Sequence, residues 1–301
     1  MELRQIKYFI EVAKREHVTE AANALHVAQS AVSRQIFNLE AELGVELFIR
    51  EGRNVRLTPM GRIFLDHMEQ AMNVINNALQ VVEEYMEPER GTIHIGYTSS
   101  MASYLLPTAI SAFRVQYPNV KFELNQGAYH ELIDWVHRGN INLALLAPLP
   151  KETKGMEGSV LFHERIVALL PRNHSLATAS SIKLNQLRTD AFIFFPEGFM
   201  LRDITLKACQ QHGFQPDIAF EGADMDAVKG MVSAGLGVAL VPEITLVDNI
   251  PRSAVKVPIV DPSIMRTVGV LVSEERKLLP TEKLFHTFLH HFFRRLEQYQ
   301  K

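Results

Sequence analysis

The chain has 301 residues, 47% of them hydrophobic and 22% charged, with a net charge of −3. That is long enough for two or three compact units. The single cysteine, Cys209, excludes an intrachain disulfide framework and a cysteine-rich zinc site. It sits in a predicted helix, TLKACQQHG, and reads as a core thiol. No apolar run approaches the roughly 18 residues of a membrane span. The N-terminus MELRQIKYF lacks an apolar signal-peptide core. A cytoplasmic protein with no membrane partner is expected.

Leu3, Ile6, Phe9, Ile10 and Ala13 recur at helical spacing and predict a first amphipathic helix. Thr19 is a predicted N-cap for a short second helix from Glu20 to Leu25, rich in small residues that permit close packing. His26-Val27 is a tight connection to a third helix, in which Ala31, Val32, Ile36, Leu39 and Leu43 form the apolar stripe. Gln29, Ser30, Ser33 and Arg34 lie on its other side, in the first turns. Forked and short hydrogen-bonding side chains there suit base edges and phosphates, with arginine matched to guanine and glutamine to adenine. Gly44 ends the helix. Taken alone, this helix is equally an amphipathic helix with a solvated polar face. Its neighbours favour a helix-turn-helix. Leu47–Arg50 and Val55–Leu57 are predicted strands of a hairpin wing around Glu51-Gly52-Arg53-Asn54, whose tip arginine suits a narrow minor groove. Bulk charge gives no support, because residues 1–58 hold eight Lys/Arg against eight Glu. A DNA footprint here requires local sorting of charge, with Arg34, Arg50, Arg53 and Arg56 on one face.

Thr58-Pro59 caps and opens a long helix that meets no Pro or Gly between Arg62 and Glu87. Phe64, Met68, Ala71, Ile75, Ala78, Val82 and Tyr85 form a heptad seam, flanked by Leu65, Met72, Leu79 and Met86. Pairing with a second copy would bury it; packing on its own domain is the alternative. Twin recognition helices would then read a two-fold site. Pro88-Glu-Arg-Gly91 reads as a hinge.

Strands and helices then alternate. Strands are predicted at Thr92–Tyr97, Val120–Asn125 and Leu143–Leu146, with helices at about Ala102–Gln116 and Tyr129–Arg138, which opens a parallel sheet. A second unit is predicted from Arg165, with strands at Ile166–Leu170, Ala191–Phe195, Asp217–Phe220 and Val238–Val241. Its helices are Leu201–His212 and Met225–Ala234. Thr267–Val272 is a further strand and Thr281–Tyr299 a closing helix. The domains expected are a winged helix-turn-helix (1–58), a dimerising helix (59–87), a hinge (88–91) and an α/β effector domain (92–301). The last comprises lobe I (92–163 and 267–301) and lobe II (164–266). Ligands in such sheets bind beyond the carboxyl ends of strands, where Ser99 and Ser100 stand at a helix start.

Several motifs carry nothing further. Gly235-Leu-Gly237 lacks the third glycine of a dinucleotide loop. Glu282, His286 and His290 share a helix face and read as a solvated face before a metal site. No nucleophile–base pair and no carboxylate pair supports catalysis, so no enzyme, metal or cofactor is expected.

The stretch AANALHVAQSAVSRQIFNLEAELGVELFIREGRNVRLTPMG resembles the winged helix-turn-helix of LysR-type transcriptional regulators. The resemblance rests on Ala21, Ala22 and Leu25, then Gln29, Ser33, Arg34, Ile36, Leu39 and Glu40. It continues through Leu43, Gly44, Leu47, Phe48 and Arg50 to Leu57, Thr58, Pro59 and Gly61. Ser30 departs from a frequent proline. The resemblance implies that Gln29, Ser30, Ser33 and Arg34 read the major groove, that Arg53 reaches the minor groove, and that Arg4 and Arg50 hold phosphates. It further implies a two-lobed, periplasmic-binding-protein-like effector domain whose cleft is lined after the first strand, best matched by Ser100. Ala128 stands where the family often has threonine, preceded by Gln126-Gly127. Promoter DNA, a second copy in a dimer or tetramer, a small anionic effector and RNA polymerase are the implied partners.

HVAQSAVSRQI, LLPTAISAF, FPEGFMLR, VKGMVSAGLGV and RTVG are most similar to the branch of the family that activates glutamate synthesis. This implies a dicarboxylate effector such as 2-oxoglutarate or glutamate. A dicarboxylate wants a forked cation; Arg202 is the first candidate, with Lys229 and Arg266 behind it. The rival reading is a cytosolic small-acid-binding protein or enzyme whose N-terminal helices only dimerise. A third is a repressor with a vestigial cleft.

Overall fold

The computed structural model describes residues 1–51, 54–86, 89–102, 104–261 and 263–299. The chain divides into two compact units, Met1–Gln80 and Val81–Lys301.

The first unit begins with α1 (Leu3–Arg15), α2 (Val18–Ala24) and α3 (Gln29–Leu43). Ile6, Phe9, Val12 and Ala13 are the buried face of α1. Small Ala21 and Ala22 bring α2 against it, and Val32, Ile36 and Leu39 close the core from α3. Of the predicted stripe on α3, Ala31 is half-buried and Leu43 is exposed at the last turn. Gly44 follows with φ of 71°, a left-handed position where glycine carries no steric cost. The cap of α2 is His17 and not Thr19: its Nδ1 accepts the Glu20 N–H at 3.3 Å, and the helix starts two residues earlier than expected.

β1 (Phe48–Glu51) and β2 (Asn54–Leu57) pair antiparallel as the wing. Glu40 ties the wing to α3, its Oε1 accepting the backbone N–H groups of Leu47 at 2.7 Å and Phe48 at 3.1 Å. Thr58 caps α4 (Pro59–Met86): its Oγ1 accepts the Gly61 N–H at 2.9 Å and donates to the Glu46 carbonyl at 2.9 Å. Gly61 is required there, since a Cβ would stand 2.1 Å from the Leu47 carbonyl oxygen. Phe64, at the base of α4, meets Phe9 edge-on with centroids 5.2 Å apart. Farther along α4, Val74, Leu79, Val82 and Met86 are exposed.

The second unit continues with β3 (Thr92–Tyr97), α5 (Ser99–Ala102), α6 (Leu105–Gln116), β4 (Lys121–Gln126), α7 (Tyr129–His137) and β5 (Leu143–Leu146). β3 pairs in parallel with β4 and β5, as the alternation of strands and helices predicts. Then come β6 (Met156–Pro171), β7 (Ile182–Lys183), β8 (Ala191–Phe194), α8 (Met200–Gln211), β9 (Asp217–Glu221), α9 (Met225–Ser233) and β10 (Ala239–Pro242). β11 (Ala254–Val257), β12 (Ile259–Asp261), β13 (Ile264–Ser273) and α10 (Pro280–Tyr299) complete it. The long strands β6 and β13 pair antiparallel from Met156–Ser273 to Ile166–Ile264. They carry the sheet from one lobe into the other, so the sheet is mixed, ordered β10-β6-β13-β5-β3-β4 with β11 also on β6.

Each lobe keeps its own core. One gathers Ile93, Ile95, Phe113, Val268, Phe285 and Leu289; the other gathers Leu169, Phe192, Cys209, Val228 and Val241. Burial pushes the Cys209 thiol up to about 12, which keeps it protonated and unreactive. Among the described residues, no helix is long and apolar enough to cross a membrane.

Candidate functional site

On α3 the buried residues face one way and Gln29, Ser30 and Arg34 are exposed on the other, with Ser33 half-buried beside them. The Gln29 Nε2 donates to Ser33 Oγ at 3.2 Å, which orients both side chains at the start of the helix. Gln29, Ser30, Ser33 and Arg34 therefore stand together within the first two turns of α3. Arg4 is exposed on the second residue of α1, within 3.5 Å of Glu2. Arg50 belongs to β1, but its side chain lies outside the description, and Arg53 lies outside the described residues, as do Glu87 and Pro88 of the predicted helix end and hinge.

In the second unit, a cavity of about 320 Å³ opens between the lobes. One wall comes from Ser99 and Ser100 after β3, Gln126 at the end of β4, and Tyr129. The facing wall comes from Phe195, Phe199, Met200 and Met225. The N-terminal ends of α7, α8 and α9 reach it through Ala128, Phe199 and Met225, so their partial positive charges converge there. Ser99 and Ser100 open the four-residue α5, and the predicted helix to Gln116 is α6, which begins at Leu105.

Among the described residues, the cation lining the cavity is Arg266. It sits on β13 directly across from Glu164 on β6. Its Nε donates to Glu164 Oε2 at 2.7 Å and its Nη2 to Ser100 Oγ at 3.2 Å. Both charged side chains are almost wholly buried, at 2% and 3% exposure. Glu164 Oε1 also accepts the Ile244 N–H at 3.3 Å. The crossover strands thus place a guanidinium in contact with both a buried carboxylate and a cleft serine.

Arg202 stands elsewhere. Its Nη1 donates to the Phe195 carbonyl at 2.7 Å and to Glu221 Oε1 at 2.6 Å, and its guanidinium lies 5.9 Å from the Phe194 ring centroid. It supports the strand end that carries Phe195 and is not among the residues lining the cavity. Lys229 is also spent: buried on α9, it donates to the Thr245 carbonyl, and burial pulls its pKa down against the opposing pull of Asp226. The sequence ranks Arg202 first, at a predicted helix start, with Arg266 behind it. The signal it lacked was the register that sets Arg266 against Glu164.

Glu282, His286 and His290 do not converge. Glu282 Oε2 accepts from Arg276 at 2.8 Å and from the Leu279 N–H at 2.9 Å. Both imidazoles instead approach Ser159 Oγ, at 3.3 and 3.0 Å. Among the described residues, no group of three metal-ligating side chains is assembled. Burial first, and then His290, hold His286 below 6.5, with Glu157 opposing; burial first, then Arg294 and His291, hold His290 below it. The folded pair resists protons that the unfolded chain accepts. Its contribution is therefore present above pH 6.5 and is lost as pH falls through the lowered folded values. The melting temperature should drop as pH falls below 6.5, and His290→Gln should shrink that drop. Equal drops in both proteins would remove the pair from the account.

Two family models match. The bacterial regulatory helix-turn-helix protein, lysR family, matches residues 3–62, and the LysR substrate binding domain matches residues 86–294. The transcriptional dual regulator GltC of Bacillus subtilis is 53% identical over 300 residues, covering all of both chains. The DNA-binding transcriptional dual regulator OxyR of Escherichia coli is 27% identical, covering 90% of this chain and 89% of that one. Among solved structures, full-length CbnR complexed with its target DNA superposes with a TM-score of 0.79 at 24% identity, covering 97% of this chain and 99% of that one. Full-length BenM superposes at 0.61 with 26% identity, covering 100% and 98%. A winged helix-turn-helix and a two-lobed effector domain, matched in turn along nearly the whole chain, make this protein a member of the LysR family of bacterial transcriptional regulators.

Proposed function

We propose that this regulator activates an operon of nitrogen or glutamate metabolism when a small dicarboxylate such as 2-oxoglutarate occupies the cavity between its lobes. The observation that carries the effector reading is the Arg266 guanidinium, buried in the cavity wall and bonded to Ser100. A guanidinium and converging helix N-termini favour an anion, and about 320 Å³ suits a small one. Ser99, Ser100 and Gln126 supply hydrogen bonds to the rest of the ligand. The target class rests on the 53% identity to GltC, and the protein works in the cytoplasm.

On the DNA side, Gln29, Ser30, Ser33 and Arg34 read the major groove, Arg53 the minor groove, and Arg4 and Arg50 the phosphates. The chain is organised as a DNA-binding domain over 1–58, a pairing helix over 59–87, a hinge over 88–91 and an effector domain over 92–301. The exposed Val82 and Leu79 on α4 support pairing with a second copy; dimers pair into tetramers and meet RNA polymerase at the promoter. The effector acts by binding one lobe closure better than another, since equal affinity for both would shift nothing.

A thermal-shift titration of the full-length protein tests the effector. 2-Oxoglutarate should raise the melting temperature in a saturable way, while a neutral five-carbon ketone should not. No shift with 2-oxoglutarate or glutamate would end the dicarboxylate reading.

A further inference from the structure

Phe37 is a large aromatic on α3 that the core does not use: it is 68% exposed, whereas Ile36 beside it is buried. At 3.6 residues per turn, Phe37 lies about 20° around the helix from Ser30 and about 60° from Arg34. Val32, Ile36 and Leu39 occupy the opposite, buried side. The ring also borders a groove of about 360 Å³ between α3 and the wing, shared with Gln29, Ser33 and Asn54. It therefore stands on the face that carries the base-reading side chains.

An aromatic ring cannot hydrogen-bond a base edge. The major groove offers it one apolar group, the C5-methyl of thymine. We propose that Phe37 is a specificity-determining residue that packs on thymine methyl groups in the major groove and so adds an apolar element to the polar reading by Gln29, Ser30 and Arg34. This rests on the assignment of α3 as the recognition helix. A protein-docking role for the same ring fits less well, because its neighbours toward the start of the helix on that face are serines and an arginine (Ser30, Ser33 and Arg34).

The test uses full-length protein and a duplex that the wild-type chain selects from a random-sequence pool. A second duplex carries deoxyuridine in place of every thymine, which removes only the methyl groups. At fixed salt, wild type should bind the uridine duplex about fourfold more weakly per contacted methyl. Phe37→Ala should bind the thymine duplex roughly tenfold more weakly and should no longer distinguish the two. Phe37→Leu should keep part of the discrimination. The side chain is exposed, so the variants should melt with wild type. Equal binding of both duplexes by wild type overturns the proposal, and so does full discrimination by Phe37→Ala. Failure of the pool to yield any preferred duplex overturns the recognition-helix assignment itself, and the proposal with it.

Discussion

Arg34→Ala should remove sequence-specific DNA binding while leaving the protein folded. Arg34 is exposed on α3 and supports no core contact, so its loss should not move the melting temperature. A bidentate arginine–guanine contact discriminates by about 1–3 kcal/mol. Twin recognition helices on a two-fold site double this to about 2–6 kcal/mol, so affinity for the specific site should fall at least thirtyfold. Binding to unrelated duplex should barely change, because phosphate contacts dominate it. Competition binding at fixed salt, with specific and unrelated duplex side by side, reads both. A uniform loss on both duplexes would make Arg34 a phosphate contact, and an unchanged specific affinity would place base reading elsewhere.

Arg266→Met should both destabilise the effector domain and silence the proposed response to dicarboxylate. The substitution leaves Glu164, at 3% exposure, buried without its partner. Breaking a buried pair on one side costs about 3–5 kcal/mol. The double variant Arg266→Met with Glu164→Gln separates the two effects. Neutral residues of similar volume should restore much of the stability, since buried ion pairs are replaceable by well-packed groups. They should not restore the thermal shift with 2-oxoglutarate, because the forked cation is gone. Denaturant midpoints and ligand-induced melting shifts measure the two separately. A double variant with a full ligand response would remove Arg266 from the site, and a single variant as stable as wild type would contradict the buried pair.

The parts legible in the sequence are those governed by local pattern. Val32, Ile36 and Leu39 predicted the buried side of α3, Gly44 predicted its end, and Thr92–Tyr97 emerged with the bounds read from alternation. The Thr58 cap follows from a short side chain before proline at a helix start. Other features depend on partners far away in the chain. The β6 strand begins at Met156, ahead of the strand predicted at Ile166–Leu170, because pairing with β13 extends it through Glu157, Gly158 and Ser159. β7, β11 and β12 are two to four residues long and carry too little periodicity to detect. His17 caps α2 through a ring nitrogen, a role that N-cap preferences assign to hydroxyl and carboxamide side chains.

The candidate effector site divides along the same line. Ser99, Ser100 and Gln126 reach the cavity because they stand at or just beyond the carboxyl ends of the parallel strands β3 and β4, as strand order foretells. Which of Arg202 and Arg266 lines the cavity was not legible, because their places are set by Glu221, nineteen residues from one, and Glu164, 102 residues from the other. A carboxylate opposite an arginine across two long strands is a fact of register.

The regulator and its effector meet in one measurement: a footprint of the full-length protein on the DNA upstream of its own gene and of a glutamate synthase operon. It is run at fixed salt with and without 2-oxoglutarate, since affinity depends steeply on salt. The account predicts a protected two-fold site on at least one of these DNAs, with an outer boundary or bend that changes when 2-oxoglutarate is added and does not change in the Arg266→Met, Glu164→Gln protein. Protection that ignores 2-oxoglutarate would contradict the dicarboxylate cavity, and absence of any protected sequence on either DNA would contradict the proposed target.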